Sequence, residues 1–90
     1  MVTLASIRRT TWAGISQFQG VTVDGCPVYV RYKWGELSAW LGTNESTNAL
    51  EGQQIFWREY GHRHNFDITW NEVETQTGIR CVGMVEEKYQ

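Results

Sequence analysis

Hydrophobic and polar residues alternate most clearly between positions 21 and 41. Two runs rich in valine flank the dipeptide Asp24-Gly25, which accepts the positive φ angles that a tight hairpin turn requires. Beyond the turn, alternation along a strand predicts a buried face comprising Val28, Val30, Tyr32 and Trp34. The opposite face is predicted to be exposed and comprises Tyr29, Arg31 and Lys33. This segment therefore predicts a β-hairpin over 21–34 with a basic and aromatic outer face.

A second tight turn is predicted at 34–36, where Gly35 follows the hairpin. Residues 37–41 supply the returning strand, and a further strand is predicted within 2–7. Pro27 has no N–H for the sheet ladder, so it should lie beside the first turn or at an outer position. The first half of the chain is therefore predicted to form an antiparallel β-meander.

The segment 49–60 fits two different structures. Asn48 and Glu51 have the spacing of a helix capping box, and Gly61 is a natural C-terminal stop. The alternative is a strand over 54–60, where successive residues would alternate between two faces. We favour the helix, although Gly52 within it costs about 1 kcal/mol relative to Ala.

A second helix is predicted after Thr69, which has capping-box spacing to Glu72, and Gly78 supplies its stop. The alternative for this region is a strand around 66–70. Residues 79–85 then form a final strand. Because neither face of that strand is polar throughout, we expect it to be central and covered on both sides.

Together these elements predict an α+β fold. The chain has 90 residues, a length that supports one globular domain spanning 1–90. The fold would combine an antiparallel β-meander, one or two short helices and a C-terminal strand that returns to the sheet. The alternative fold class is an all-β barrel or sandwich.

Charge and cysteine content narrow the class of protein. The net charge of −2 argues against a domain that binds nucleic acid mainly through phosphates, because such domains are usually basic. Cys26 and Cys81 belong to no CxxC pair, and we expect reduced thiols. Arg8 and Arg9 follow only a short apolar patch, so no secretory signal is expected, and no apolar run approaches the roughly 18 residues of a membrane span. We therefore expect a cytoplasmic protein.

Candidate catalytic and metal-binding residues are few. On a strand, His62 and His64 would share one face, where two imidazoles can chelate a metal, but their spacing to the cysteines matches no zinc module. No nucleophile elbow, phosphate-binding loop or dinucleotide fingerprint is present, so we expect no enzyme, no cofactor and no metal site. The paired carboxylates are predicted to be solvated: Glu72 with Glu74, and Glu86 with Glu87.

The aromatic content is the least usual feature, with five Trp, four Tyr and three Phe. Burying five Trp fully in so small a domain is difficult, and Trp, Tyr and Arg are the residue types enriched at interface hot spots. We therefore predict a non-enzymatic binding protein that engages a larger protein assembly through an aromatic and arginine-bearing surface. The predicted binding residues are Tyr29, Arg31, Lys33, Arg8 and Arg9.

Two alternative functions stay open. A nucleic-acid-binding β-module would use the same basic and aromatic strand face to stack and pair with single strands, and a metal-dependent protein would centre on His62 and His64. Self-association is also left open, and no membrane partner is expected. In size, acidity and lack of catalytic motifs the chain resembles small accessory proteins of phages and mobile elements, including anti-CRISPR inhibitors. This resemblance covers no motif. It implies a role as an inhibitor or accessory protein and transfers no residue.

Overall fold

The fold is a single sheet with a helix packed on one face. A computed structural model of the chain describes residues 2–45 and 48–88. Its strands are β1 (Thr3–Thr11), β2 (Ser16–Thr22), β3 (Pro27–Lys33), β4 (Glu36–Leu41), β5 (Gln53–Glu59) and β6 (Arg80–Glu86). The helix α1 (Trp70–Thr77) lies between the last two strands in sequence, and a 3-10 turn (Ala49–Glu51) precedes β5.

The sheet is mixed, with the strand order β5-β4-β3-β2-β1-β6. The strands β1 to β5 pair with their sequence neighbours in antiparallel orientation, whereas β6 runs parallel to β1. The α+β prediction is therefore confirmed in its coarse form, with most of the structure in the sheet. The barrel alternative is wrong for the described residues, because the two outer strands β5 and β6 do not pair with each other and the sheet stays open.

Both predicted turns are present, but the side chain of Trp34 in the second turn does not lie where the sequence predicted it. Gly25 has a φ of 89° in the turn between β2 and β3. The turn between β3 and β4 has only two residues, Trp34 and Gly35, and both have positive φ. This geometry defines a type I′ hairpin. The prediction that Trp34 belongs to the core is wrong, since the turn lifts its side chain off the strand and leaves it 63% exposed.

The helix predicted over 49–60 is wrong. Only the 3-10 turn forms there, with the predicted capping box between Asn48 and Glu51, and the chain then enters β5. Gly52 lies against the backbone, where an added Cβ would be 2.1 Å from the carbonyl oxygen of Leu41. The backbone of Gly52 packs against Leu41, and β5 pairs with β4. These tertiary contacts outweigh the local capping signal, so the segment forms a strand.

The second helix follows its sequence signals. Thr69 accepts a hydrogen bond from the backbone N–H of Glu72 at the N-terminus, and Gly78 ends α1 in the left-handed conformation with a φ of 80°. At eight residues α1 is the longest helix in the described part of the chain, too short to cross a bilayer. The final strand is present, but its predicted central position is wrong. It pairs with β1 alone and lies at the sheet edge.

The hydrophobic core lies between α1 and one face of the sheet. Trp70 packs on Phe18 with ring centroids 5.4 Å apart, and Val73 is fully buried beside them. The sheet contributes inward-facing residues of four strands to this cluster, including Leu4, Ile7, Val28, Val30, Tyr32, Leu37 and Ala39. Because α1 covers only this face, the opposite face of the sheet carries the candidate functional residues.

Candidate binding face

A groove crosses the uncovered face of the sheet. The antiparallel register places Arg31 of β3, Ser38 of β4 and Trp57 of β5 in one row. Neighbouring strands lie about 4.8 Å apart, so the small buried side chain of Ser38 forms a floor between two large side chains. The resulting depression has a volume of about 220 Å³. Its lining comprises Arg31, Lys33, Trp34, Glu36, Ser38, Gln54 and Trp57, and we call it the groove.

Trp34 stands at the end of the groove in an unfavourable backbone conformation. Its φ of 53° is the one positive φ of a non-glycine residue in the described chain. A bulky side chain rarely adopts this region, and the left-handed conformation costs an L-residue about 1–2 kcal/mol. Lys33 Nζ lies 4.3 Å from the centroid of the Trp34 ring, which places a positive charge against the exposed indole.

Trp57 forms the second aromatic wall of the groove. Its indole Nε1–H donates to Glu36 Oε1 at 3.0 Å, across the pairing between β5 and β4. The ring is nevertheless 55% exposed. The hydrogen bond fixes the orientation of an exposed ring that would otherwise rotate, so the groove has a preformed shape. The same hydrogen bond engages Glu36, which is the one carboxylate that lines the groove. Arg31 and Lys33 are then the charged groups of the groove that can donate to a ligand.

Tyr29 is a buried residue on the same face of the sheet as the groove. It lies on the predicted side of β3 but is only 8% exposed, so the expectation of an exposed tyrosine is wrong. Its ring packs on Trp40 with centroids 5.7 Å apart, and its hydroxyl accepts a hydrogen bond from Gln17 Nε2 at 2.6 Å. Burial raises the pKa of the Tyr29 hydroxyl above 10.0. Arg31 in turn stacks over Trp40 with Cζ 5.2 Å from the ring centroid, so Tyr29 positions the cation indirectly.

Arg9 lies on the opposite face of the sheet from Arg31, within the core. Its guanidinium donates to the carbonyl of Ile68 at 3.1 Å, to Ser16 Oγ at 2.8 Å and to Asp67 Oδ1 at 2.6 Å. The residue is 7% exposed. Arg9 was predicted as a binding residue together with Arg8, but alternation along β1 turns its side chain inward. It ties the loop before α1 to the sheet.

Arg8 is exposed and shares the face of the groove, but it lies at a distance from it. The register places Arg8 beside Gln19, and Gln19 beside Tyr29, so two strand spacings separate Arg8 from β3. That distance is about 10 Å. On its other side Arg8 is paired with Glu86 of β6. The structure thus brings Arg31 and Lys33 together and leaves Arg8 outside the groove.

The histidine pair is close in space but isolated from other metal ligands. The rings of His62 and His64 have centroids 5.0 Å apart, and both residues are exposed. Cys26 precedes β3, whereas Gly35, which follows β3, packs against the backbone of His62. Seven strand residues separate these ends by about 23 Å. Both cysteines are free, and no cluster of three His, Cys, Asp or Glu residues occurs in the ranges described.

Three of the four paired carboxylates make specific contacts, contrary to the expectation of solvated charges. Glu74 Oε2 accepts hydrogen bonds from Trp70 Nε1–H at 2.8 Å and from the N–H of Cys81 at 2.9 Å. Glu87 accepts a hydrogen bond from the backbone N–H of Trp70. Glu72 Oε2 accepts the hydroxyl of Tyr60 at 2.8 Å, which lowers the pKa of the Glu72 carboxyl and raises that of the Tyr60 hydroxyl. These acidic residues therefore hold α1 against the sheet.

Sequence reasoning missed five of the seven groove residues. Trp34 was assigned to the core, and the proximity of the other four depends on strand register. Glu36 and Ser38 come from β4, and Gln54 and Trp57 from a segment that was predicted to be helical. A strand over 53–59 paired with β4 would have placed Trp57 beside Ser38.

Comparison of the chain with family models, with curated proteins and with solved structures gave no match.

Proposed function

We propose that this chain is a binding protein that engages a protein partner through the groove. The observation that carries the proposal is the exposed, conformationally strained Trp34. Backbone strain at a non-glycine residue persists only where the surrounding structure imposes it, and it concentrates at functional sites. Asn or Gly suits this position of a type I′ turn better than Trp does. The turn itself therefore gives no reason for a large exposed indole at this position.

The neighbouring residues have the composition of an interface hot spot. Trp34 and Trp57 are both more than half exposed, and Arg31 lies between them and the stacked Trp40. Trp and Arg are the side chains that contribute most to protein–protein binding energy. A rigid groove bordered by such residues suits a partner side chain or loop that inserts between the two indoles.

Charge favours a protein over a nucleic acid as the partner. Only Arg31 and Lys33 supply positive charge at the groove, and Glu36 lies between Lys33 and Trp57. A carboxylate within the contact surface would repel a phosphate backbone, and the whole chain carries a net charge of −2. We therefore propose a partner that presents acidic or amide groups to Arg31 beside an apolar side chain.

The experiment is an affinity capture of the tagged chain from an extract of its own organism, with and without nuclease, followed by titration of the purified partner. Trp34→Ala and Arg31→Ala should each weaken binding by about thirtyfold or more, since hot-spot truncations cost about 2 kcal/mol. Phe66→Ala and Arg8→Ala are matched controls, because both residues are exposed and lie outside the groove. These two variants should bind like the wild type.

Two outcomes would overturn the proposal. Equal weakening by the groove variants and by the matched controls would show that the groove is not the contact surface. A partner set that disappears with nuclease would instead favour the second candidate, a single-stranded nucleic acid stacked on Trp34 and Trp57. That candidate predicts an affinity that falls steeply with salt concentration.

A further inference from the structure

The outer edge of β6 is an open sheet edge that carries exposed apolar side chains. The strand pairs with β1 on one side, and no strand within the described residues pairs with its other side. Natural sheet edges are commonly protected by charged side chains, Pro, β-bulges or short length. In β6 the charges are confined to the two ends, Arg80 and Glu86, and the register with β1 shifts once near the centre. The seven residues of β6 contain neither Lys nor Pro, and Val82 and Met84 are 72% and 67% exposed. These are the two most exposed large hydrophobic side chains described.

The backbone of β6 has hydrogen-bonding groups directed at this edge. The N–H of Arg80 donates to the carbonyl of Val2, so it points toward β1. Alternation directs the N–H of Cys81 the other way, toward the outer edge. Between Cys81 and Met84 the register shifts, because β6 has one residue more than β1 there. The N–H of Cys81 is already bound by Glu74, which ends the free length of the edge. Beyond the register shift the backbone groups of Met84 to Glu86 alternate again between β1 and the outer edge, where they can pair with an added strand.

The sequence of β6 is complementary to itself in antiparallel orientation. A two-fold axis at Gly83 places Val82 opposite Met84 of a second copy, on the exposed face. The same register places Arg80 opposite Glu86 of the second copy at both ends of the pairing. Opposite charges and apolar pairs directly across strands are stabilising. A parallel arrangement would oppose Arg80 to Arg80 and Glu86 to Glu86, which is repulsive.

We propose that the chain forms a two-fold symmetric dimer by antiparallel pairing of β6 with β6 of a second copy, which joins two six-stranded sheets into one. The groove on β3 to β5 lies at the far side of each sheet and stays open in this dimer. The dimer would therefore present two grooves. The interface is independent of the groove, so it does not rest on the proposed function.

Sedimentation velocity over a range of protein concentrations tests the dimer. The wild type should show a reversible monomer–dimer equilibrium. Val82→Lys should raise the dissociation constant by about tenfold or more, because it replaces an apolar cross-strand pair with a charge. Ile55→Lys at the other sheet edge is the matched control and should leave the equilibrium unchanged. Gly83 is left intact, because an added Cβ would lie 1.8 Å from the carbonyl oxygen of Ala5.

A charge exchange identifies the register. Because Glu86 also faces Arg8 of its own chain, these changes are made in an Arg8→Gln background. There Arg80→Glu and Glu86→Arg should each weaken the dimer by repulsion, and the double variant should restore it to within about threefold of the Arg8→Gln protein. Circular dichroism verifies that each variant is folded. A chain that stays monomeric at about 1 mM overturns the proposal, as does a dimer that responds to Ile55→Lys and not to Val82→Lys. Failure of the double variant to restore a dimer weakened by both single changes would overturn the register.

Discussion

Replacing Arg9 tests whether this arginine is structural. Arg9→Met removes the guanidinium and leaves the buried carbonyl of Ile68 without its donor. Hydrogen bonds from a charged group contribute about 1.5–3 kcal/mol each, and those of Arg9 to Ile68 and Ser16 are both buried. Because the contacts share one side chain they are not additive, and we expect a loss of about 3 kcal/mol in the free energy of unfolding.

The ion pair contributes little to this loss. The Asp67 side chain is 74% exposed, so without Arg9 its carboxylate is solvated by water. Asp67→Asn should therefore cost less than about 1 kcal/mol, as exposed pairs do. Arg9→Lys should lose about 2 kcal/mol, because an ammonium cannot reach Ile68, Ser16 and Asp67 with the planar fork that a guanidinium provides.

The assay is urea unfolding followed by tryptophan fluorescence at constant pH and salt. The midpoint should fall for Arg9→Met with an unchanged slope, and the expected loss corresponds to a fall in melting temperature of roughly 12–24 °C. The reasoning would be refuted by an Arg9→Met variant within about 0.5 kcal/mol of the wild type. It would also be refuted if Asp67→Asn cost as much as Arg9→Met, since the ion pair would then be the main contribution.

Two further predictions concern α1 and β6. The pKa of the Glu72 carboxyl is lower in the folded than in the unfolded chain, so the unfolded state binds more protons as the pH falls through the ordinary value of 4.5, and stability decreases. Glu72→Gln should flatten the decrease in unfolding free energy between about pH 6 and pH 3, and equal pH slopes for the two proteins would contradict this. Gly83→Ala should cost about 2 kcal/mol or more in urea unfolding because of the contact with Ala5, whereas Val82→Ala at an exposed neighbour should stay within about 0.5 kcal/mol of the wild type. Equal stabilities of these two variants would show that the close approach at Gly83 is absent.

The sequence signals succeeded where a local interaction decides the structure. The dipeptide Asp24-Gly25 and the alternation that follows it predict the hairpin of β2 and β3, and both are found. Thr69, Glu72 and Gly78 bound α1 as predicted, because a capping box and a left-handed glycine act within one turn of the helix. These features need no information about distant residues.

The sequence signals failed where distant pairing decides the structure. The capping box at Asn48 is real, but pairing with β4 takes the following residues into β5. The groove depends on that pairing, since Trp57 reaches Ser38 only through the register of two strands. Arg9 was assigned to the surface with Arg8, although alternation along β1 sends neighbouring residues to opposite faces. Ser16 and Ile68 are far apart in the sequence and come together around Arg9 only in the folded chain.

The central claim is that Trp34 is retained for binding at a cost to the turn. The measurement that tests it most directly compares Trp34→Asn with the wild type in urea unfolding and in binding to the captured partner. Asn tolerates the left-handed conformation, and the lost contact with Lys33 is exposed, so the free energy of unfolding should rise by about 0.5–1 kcal/mol. Binding should weaken by about thirtyfold. A variant that is less stable than the wild type and binds the partner equally well would contradict the account.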